Sequence, residues 1–257
     1  ETIRVMNHPD DILAMFDKER AYERLVEAEV ATPRRITDVT SYDALRERMR
    51  EENLRQVFIK LRHGSSASGV VAYRTRGERE MAITSSKMVQ DPGEPLRVFN
   101  SLRIQRYTKN EDTRALIEWL IAQDVVVEQW VPKSNIDQRA FDMRVVVIDG
   151  VAAHVVARAS RSPMTNLHLG NERETRERVI DCFGEAALDA ALAEASKAAR
   201  AFPDSFYFGA DVMLATGSLE PVVIEVNAFG DLLPNLLVDG LDTYQTEVHR
   251  WFAGDER

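Results

Sequence analysis

Apolar and polar positions alternate along this chain with periods near two and near 3.6, and together they predict short antiparallel strands mixed with amphipathic helices. The sharpest pattern lies late. Phe208-Gly209-Ala210-Asp211-Val212-Met213-Leu214 and Val222-Val223-Ile224-Glu225-Val226-Asn227-Ala228 are two apolar runs separated by Ala215-Thr216-Gly217-Ser218. They predict a hairpin whose tight reversal uses Gly217. Asp211 interrupts the first run. Glu225 and Asn227 interrupt the second, two residues apart, so both leave the same face of a strand. Three oxygen-bearing side chains facing one way suit a hard divalent cation, which takes carboxylate and amide oxygens together with phosphates. Solvated acids on two edge strands are the bland alternative, although a carboxylate inside Val-Val-Ile-Glu-Val needs a partner.

Earlier in the chain, apolar spacing predicts helix over 10–28, broken near Asp17, with Tyr22, Leu25 and Val26 recurring at helical intervals. Lys18 follows the break and by itself reads as a solvated helix lysine. Ser41 is placed to cap a second helix running through Glu52, with Leu45 and Met49 on one face. Gln56-Val57-Phe58-Ile59-Lys60-Leu61 predicts a strand with one lysine, followed by His63-Gly64-Ser65-Ser66-Ala67-Ser68-Gly69. Such a loop of small residues can bring backbone N–H groups around phosphate oxygens, with Lys60 adding charge; a flexible hairpin reads equally well. It is not the pattern in which Gly-Lys-Ser/Thr opens a helix.

Three short strands are expected between 78 and 108, at 81–83, 96–98 and 102–104, around the turn Asp91-Pro92-Gly93. A helix over 111–123 follows, with Asn110 as its cap, and then the strand Val125 to Val131, which stops at Pro132 and leaves backbone groups free near its end. Asp149-Gly150 between apolar runs predicts the clearest hairpin, 141–148 with 151–157. Asp142 and Arg144 share a face of its first strand, where pairing with each other is their structural role. Residues 185–201 form an alanine-rich helix and 243–252 a closing one.

With 257 residues, 44% hydrophobic and 29% charged, the chain has enough material for one large or two medium globular domains. Its one cysteine, Cys182, excludes an internal disulfide, fits a reducing cytoplasm and reads as structural. No run approaches membrane-span length, and no signal peptide is visible. A net charge of −9 argues against broad nucleic-acid binding, so any nucleotide site needs locally placed cations. The chain opens at Glu1 without a methionine and runs directly into Ile3-Arg4-Val5, which suggests that something N-terminal is missing.

Taken in order, Asn7-His8-Pro9 with Asp17-Lys18, the Lys60 strand and its Gly-Ser loop, Glu128-Gln129-Trp130-Val131, Asp142-Met143-Arg144, Arg158, Thr165-Asn166-Leu167-His168, and Asp211 with Glu225-X-Asn227 resemble the ATP-grasp superfamily, most closely its RimK-like glutamate-ligase branch. The resemblance covers nearly the whole chain and implies an α+β fold: two lobes with antiparallel sheets enclosing the nucleotide. Residues 34–131 would be the small lobe and 132–257 the large one. Residues 1–33 would be linker helices from an absent N-terminal α/β domain.

It further implies that Lys60 and Lys18 neutralise the ATP phosphates and that Ser65, Ser66, Ser68 and Gly69 close over them. Glu128, Gln129, Trp130 and Val131 would hold adenine, with Asp142 near the nucleotide (or Asp137 taking the ribose) and Asn166 on the acceptor side. Asp211, Glu225 and Asn227 would bind one or two Mg²⁺ ions, with Mn²⁺ as a substitute. Arg158, supported by Arg144, would stabilise the transferred phosphoryl group.

The implied reaction joins a small-molecule or peptide carboxylate to an amine through an acyl phosphate, releasing ADP and phosphate, with no membrane or nucleic-acid partner and an oligomer left open. The chain departs from the family pattern at Ala67, where relatives often carry glycine, which implies a stiffer loop. Leu169 and Asn171 stand in place of arginine and glycine and point away from glutamate as the incoming amine, and Asn-Ala-Phe-Gly-Asp at the last metal ligand implies a substrate pocket unlike that of a standard glutamate ligase. A catalytically silent nucleotide-binding module and a phosphotransferase are the competing readings.

Overall fold

The computed structural model describes residues 5–253 except Pro92, Asp231 and Leu232, with the backbone alone at His168. Of the expected features, Ile3-Arg4, the Pro92 of the turn and Asp231 therefore lie outside the described residues.

The first helical stretch breaks where the polar pattern does. Helix α1 (Pro9–Phe16) starts with proline at its first position and with the His8 ring accepting from the Asp10 N–H. Asp17 ends it and at once caps α2 (Lys18–Glu27), accepting from the Glu19 and Arg20 amides. Then come β1 (Arg35–Ile36) and α3 (Tyr42–Glu51), the latter capped by Ser41 onto the Ala44 N–H. Strands β2 (Gln56–Leu61) and β3 (Val70–Arg76) follow.

The three short strands expected next are in fact two long ones, β4 (Arg79–Val89) and β5 (Arg97–Tyr107), with a register shift between Thr84 and Ser86. Neither alternates cleanly: β4 is buried along most of its length, and β5 is the outer strand of its sheet with much of it in solvent. Helix α4 (Asn110–Ile121) begins one residue earlier than expected. Lys109, not Asn110, sits at its N-cap, and Asn110 instead donates its side-chain amide to the Glu78 carbonyl at 3.0 Å. Strand β6 (Val125–Gln129) closes this part of the chain.

Next are β7 (Asn135–Ile136), β8 (Arg139–Ile148) and β9 (Val151–Ser160). Asp149 and Gly150 at the β8–β9 turn have φ of 53° and 73°, the left-handed pair that a tight hairpin of this twist requires. A 3₁₀ turn (Leu167–Leu169) precedes β10 (Glu172–Glu174), α5 (Arg176–Phe183) and α6 (Glu185–Lys197). Cys182 lies on α5 but is exposed, so it plays no part in packing the core. The late hairpin is β11 (Tyr207–Leu214) with β12 (Pro221–Asn227), and α7 (Thr243–Ala253) ends the described chain.

These elements form two compact units, and the division is not purely sequential. The smaller comprises residues 33–131 with 162–171; the larger takes the rest, including α1 and α2. The helices expected to be linkers are therefore part of a core: Ala14, Met15, Ala21 and Leu25 are buried with strands β8, β9, β11 and β12.

In the smaller unit a six-stranded sheet runs in the order β1-β6-β2-β3-β4-β5. One face carries Val57, Ile59, Val71, Tyr73 and Ala82 and is covered by Leu45 and Met49 of α3 and Leu116, Ile117 and Leu120 of α4. The other face carries Phe58, Ala72, Met81 and Ile83, with Met164 and Trp130 packed among them. In the larger unit the order is β10-β9-β8-β11-β12, with β7 on β8. Phe141, Met143, Val145 and Val147 point to α6 and the first helices, so Asp142, Arg144, Val146 and Ile148 take the opposite face.

Candidate functional site

On that opposite face, neighbouring strands bring charged side chains into register. Asp142 of β8 stands opposite Arg158 of β9, and Arg144 of β8 opposite Asp211 of β11. Directly opposed residues in an antiparallel pair lie closer than residues two apart on one strand. Asp142 accordingly meets Arg158, and Arg144 meets Asp211. Arg158 Nε donates to Asp142 Oδ1 at 2.8 Å, and its Nη2 lies 3.1 Å from Asp211 Oδ1. Arg144 grips Asp211 with Nε and Nη2 at 2.5 and 3.2 Å, and also reaches the Gly230 carbonyl at 3.2 Å. Gly209, one turn of the pleat away on β11, makes room for this: a Cβ there would sit 3.1 Å from Gly230 Cα and 3.2 Å from Arg144 Cδ.

Lys133 completes the group, although no motif pointed to it. Its Nζ donates to Asp142 Oδ2 at 2.8 Å, and its side chain is almost entirely buried. Asp142 thus accepts from two cations. Burial would raise its carboxyl, yet Arg158 and Lys133 hold it well below the usual carboxylate range. Burial pulls the Lys133 ammonium down, with Asp142 opposing. For Asp211, burial is again outweighed, by Arg144 and Arg158, and its carboxyl is lowered.

The late hairpin sets the proposed metal donors side by side. Asp211 is the direct cross-strand partner of Glu225, and Asn227 that of Gly209, so all three side chains leave one face. Glu225 forms an ion pair with Lys18 at 3.1 Å, which is the partner its apolar setting calls for, and Lys18 is mostly buried instead of solvated. Asn227 Nδ2 is buried with no hydrogen-bond partner. Among the described residues no three His, Cys, Asp or Glu side chains form a metal cage. The set fits Mg²⁺ in the way that ion is usually held: one or two carboxylates, an amide oxygen, and oxygens from a phosphate. Asn7 fixes the hairpin's open end, donating to the Tyr207 and Ala228 carbonyls at 2.8 and 2.7 Å and accepting from the Tyr207 N–H.

In the smaller unit, Lys60 and Phe58 share a face of β2, and Glu128 of β6 stands opposite Phe58. The buried Glu128 carboxylate is ion-paired with Lys60 and, at 3.4 Å, with Arg35. Lys60 Nζ also lies 5.6 Å from the Phe58 ring centre, and Phe58 packs against Trp130 at 5.2 Å. Gln129 and Trp130 backbone amides are taken by the Arg34 and Gln56 carbonyls, while the Gln56 side chain donates to the Trp130 carbonyl. Val131 follows as the last residue of this run in the smaller unit.

In the loop, Ser66, Ala67 and Gly69 have φ of 54°, 59° and 61°, all left-handed. Ser65 accepts from the Ser68 N–H through its carbonyl, and Ser85 donates to the Ala67 carbonyl. Asn166 begins a short turn closed by the Leu169 N–H, and its carbonyl accepts from Asn171 at 2.8 Å. Asp137 is on the surface of the larger unit, paired with Arg178 at 2.7 Å.

No protein-family model and no curated protein matches this sequence. Its structure, in contrast, matches many solved ones. A D-cycloserine synthetase superposes with a TM-score of 0.56 over 96% of this chain and 72% of its own, at 13% identity. An N5-carboxyaminoimidazole synthase from Aspergillus clavatus, solved with ADP, gives 0.56 over 88% of this chain and 47% of its own, at 12% identity. A D-alanine–D-alanine ligase from Bacillus anthracis, solved with ATP, gives 0.50 over 92% of this chain and 61% of its own, at 14% identity. The fold is the ATP-grasp fold. This ATP-grasp chain spans under two thirds of those last two enzymes, and at such identities the likeness concerns the fold alone. No described helix is long and apolar enough to cross a membrane.

Proposed function

We propose that this chain is the ATP-grasp portion of an ATP- and Mg²⁺-dependent ligase that joins a carboxylate to an amine. The observation that carries the reading is the pairing of Asp211 with Glu225 across β11 and β12, with Arg158 on the same face 3.1 Å from Asp211. Phosphoryl transfer asks a protein for positioning and for charges of this kind, not for a nucleophilic side chain. The solved neighbours named above are ligases and synthases, two of them holding ATP or ADP, and this supports the same class of chemistry here.

In this reading a carboxylate oxygen attacks the γ-phosphorus of ATP. The new O–P bond forms as the bond to the β-phosphate bridge breaks, and ADP leaves. The amine nitrogen then attacks the acyl carbon, phosphate leaves with the C–O electron pair, and the nitrogen gives up a proton. Lys60 and Lys18 neutralise phosphate charge, and residues 65–69 close over the phosphates through their backbone. Residues 128–131 hold the base, and Asn166 lines the acceptor side. Arg158, braced by Asp142, meets charge on the moving phosphoryl group, with Arg144 in support. Asp211, Glu225 and Asn227 hold Mg²⁺, or Mn²⁺ in its place, which supplies Lewis-acid neutralisation of the phosphates when bound.

The test is calorimetric titration of ATP in the presence and absence of Mg²⁺ into the full chain and into Asp211→Ala and Glu225→Ala. Loss of the Mg²⁺-dependent part of the affinity is expected, and unchanged affinity in both variants overturns the site. ADP release against a panel of carboxylic acids, with hydroxylamine present to trap acyl phosphate as hydroxamate, tests the reaction. Binding without turnover would mark a silent module. A phosphoester in place of a hydroxamate would mark a phosphotransferase.

A further inference from the structure

The smaller unit contains a second charged feature that none of these roles uses. Lined chiefly by Arg55, Arg74, Arg76, Arg79 and Met81, a cavity of about 650 Å³ opens at one end of the sheet. The register explains the clustering. Gln56, Arg74 and Met81 stand opposite one another across β2, β3 and β4, and Arg76 stands opposite Arg79. All therefore share the face that carries Phe58 and Lys60 farther along.

The four arginines are exposed, and none of them forms an ion pair among the described residues. Elsewhere in the unit Arg35, Arg46, Arg48 and Arg114 meet carboxylates. The cavity's one acid, Glu80, is buried; its Oε1 is held by Arg46 and the Tyr42 hydroxyl, while its Oε2 has no hydrogen-bond partner among the described residues. In a chain of net charge −9, four exposed like charges standing together make a local positive patch that attracts an anion.

From this geometry we infer that the cavity docks an acidic, extended segment of a polypeptide. Arg74 and Arg76 lie two residues apart on one strand, so they project about 7 Å apart, which is also the spacing of alternate side chains in an extended peptide. Guanidinium forks match carboxylates in paired hydrogen bonds. The cavity's walls are strand backbone whose amides are engaged in the β3–β4 ladder, so no nest of free N–H groups is offered to a phosphate. No aromatic ring lines it, so it lacks the stacking surface that single-stranded nucleic acid uses. Thr108, just past β5, closes the cavity beside the outer strand of the sheet, where an extended chain can lie. The inference stands whether or not the chain proves to be a ligase.

Fluorescence anisotropy with a labelled peptide of repeated Glu-Ser, added to the full chain in low-salt buffer, tests it. Saturable binding is expected, about tenfold weaker in Arg74→Glu/Arg76→Glu with an unchanged far-ultraviolet circular dichroism spectrum. The charge-matched control Arg20→Glu/Arg200→Glu, on the larger unit, should bind as the parent does. If the reversed pair unfolds, Arg74→Gln/Arg76→Gln gives the same reading. The inference fails if the parent shows no saturable binding, or if both pairs weaken it equally. It also fails if pyrophosphate or oligothymidine of matched charge displaces the peptide as well as unlabelled peptide does.

Discussion

Replacing Asp142 by asparagine removes one charge from the centre of the larger unit and keeps the side chain's shape. Asp142 is 1% exposed and accepts from Arg158 and Lys133, each at 2.8 Å. Removing one partner of a buried ion pair costs about 3–5 kcal/mol, because the remaining charge stays desolvated. Two features soften that figure here. Arg158 retains Asp211 at 3.1 Å, and Lys133 can release its proton, since burial already lowers its pKa. The expected cost is about 3 kcal/mol, or a fall of about 6–12 °C in melting temperature for a chain of this size.

Urea unfolding of the parent, Asp142→Asn, Lys133→Met and the double variant measures it. The double variant should cost less than the sum of the two singles by about 1 kcal/mol or more, because Lys133→Met removes one of the two cations that Asp142→Asn leaves behind. The acid limb adds a check. A carboxyl held low in the folded state gives stability that is present above its unfolded pKa and lost as pH falls toward the folded one. Asp142→Asn should therefore flatten the loss of stability below about pH 4. A cost under about 1 kcal/mol, or strict additivity in the cycle, would refute the account of this cluster.

Three further outcomes follow from other sites. Glu247 is 7% exposed, and burial, with Asp242 adding to it, raises its pKa to about 7 from 4.5. The folded state keeps a proton that the unfolded chain has already lost between those values, so stability falls as pH rises through that window. Glu247→Gln should remove this slope and stabilise the protein by about 1–2 kcal/mol near pH 8, read from denaturation midpoints at acidic and basic pH; an unchanged slope would reject it. Gly209→Ala should cost about 1–3 kcal/mol, since its methyl group would press on both Gly230 and Arg144; a neutral effect by thermal melting would show that the loop yields freely. Ala67→Gly should stabilise by about 0.5–1 kcal/mol, against the usual trend for Ala-to-Gly changes, because Ala67 sits at φ 59°; a destabilised variant would mean that the left-handed geometry is not held in solution.

The sequence by itself determined the elements and which face each residue takes. The polar interruption at Asp17, the Asp149-Gly150 turn and the run from 207 to 227 gave helix break, hairpin and donor face, because backbone preference and side-chain alternation are local properties. They were least legible in β4, buried along most of its length, and in the outer strand β5, much of which meets solvent. Partners were another matter. Asp142 takes Arg158 and Lys133, Arg144 takes Asp211, Glu225 takes Lys18, and Glu128 takes Lys60 and Arg35. Glu80, the one acid lining the cavity, takes Arg46 and none of the cavity's four arginines. Those choices depend on which strands lie side by side and in what register, and a charge buried by that register binds whatever the neighbouring strand presents, however distant in sequence.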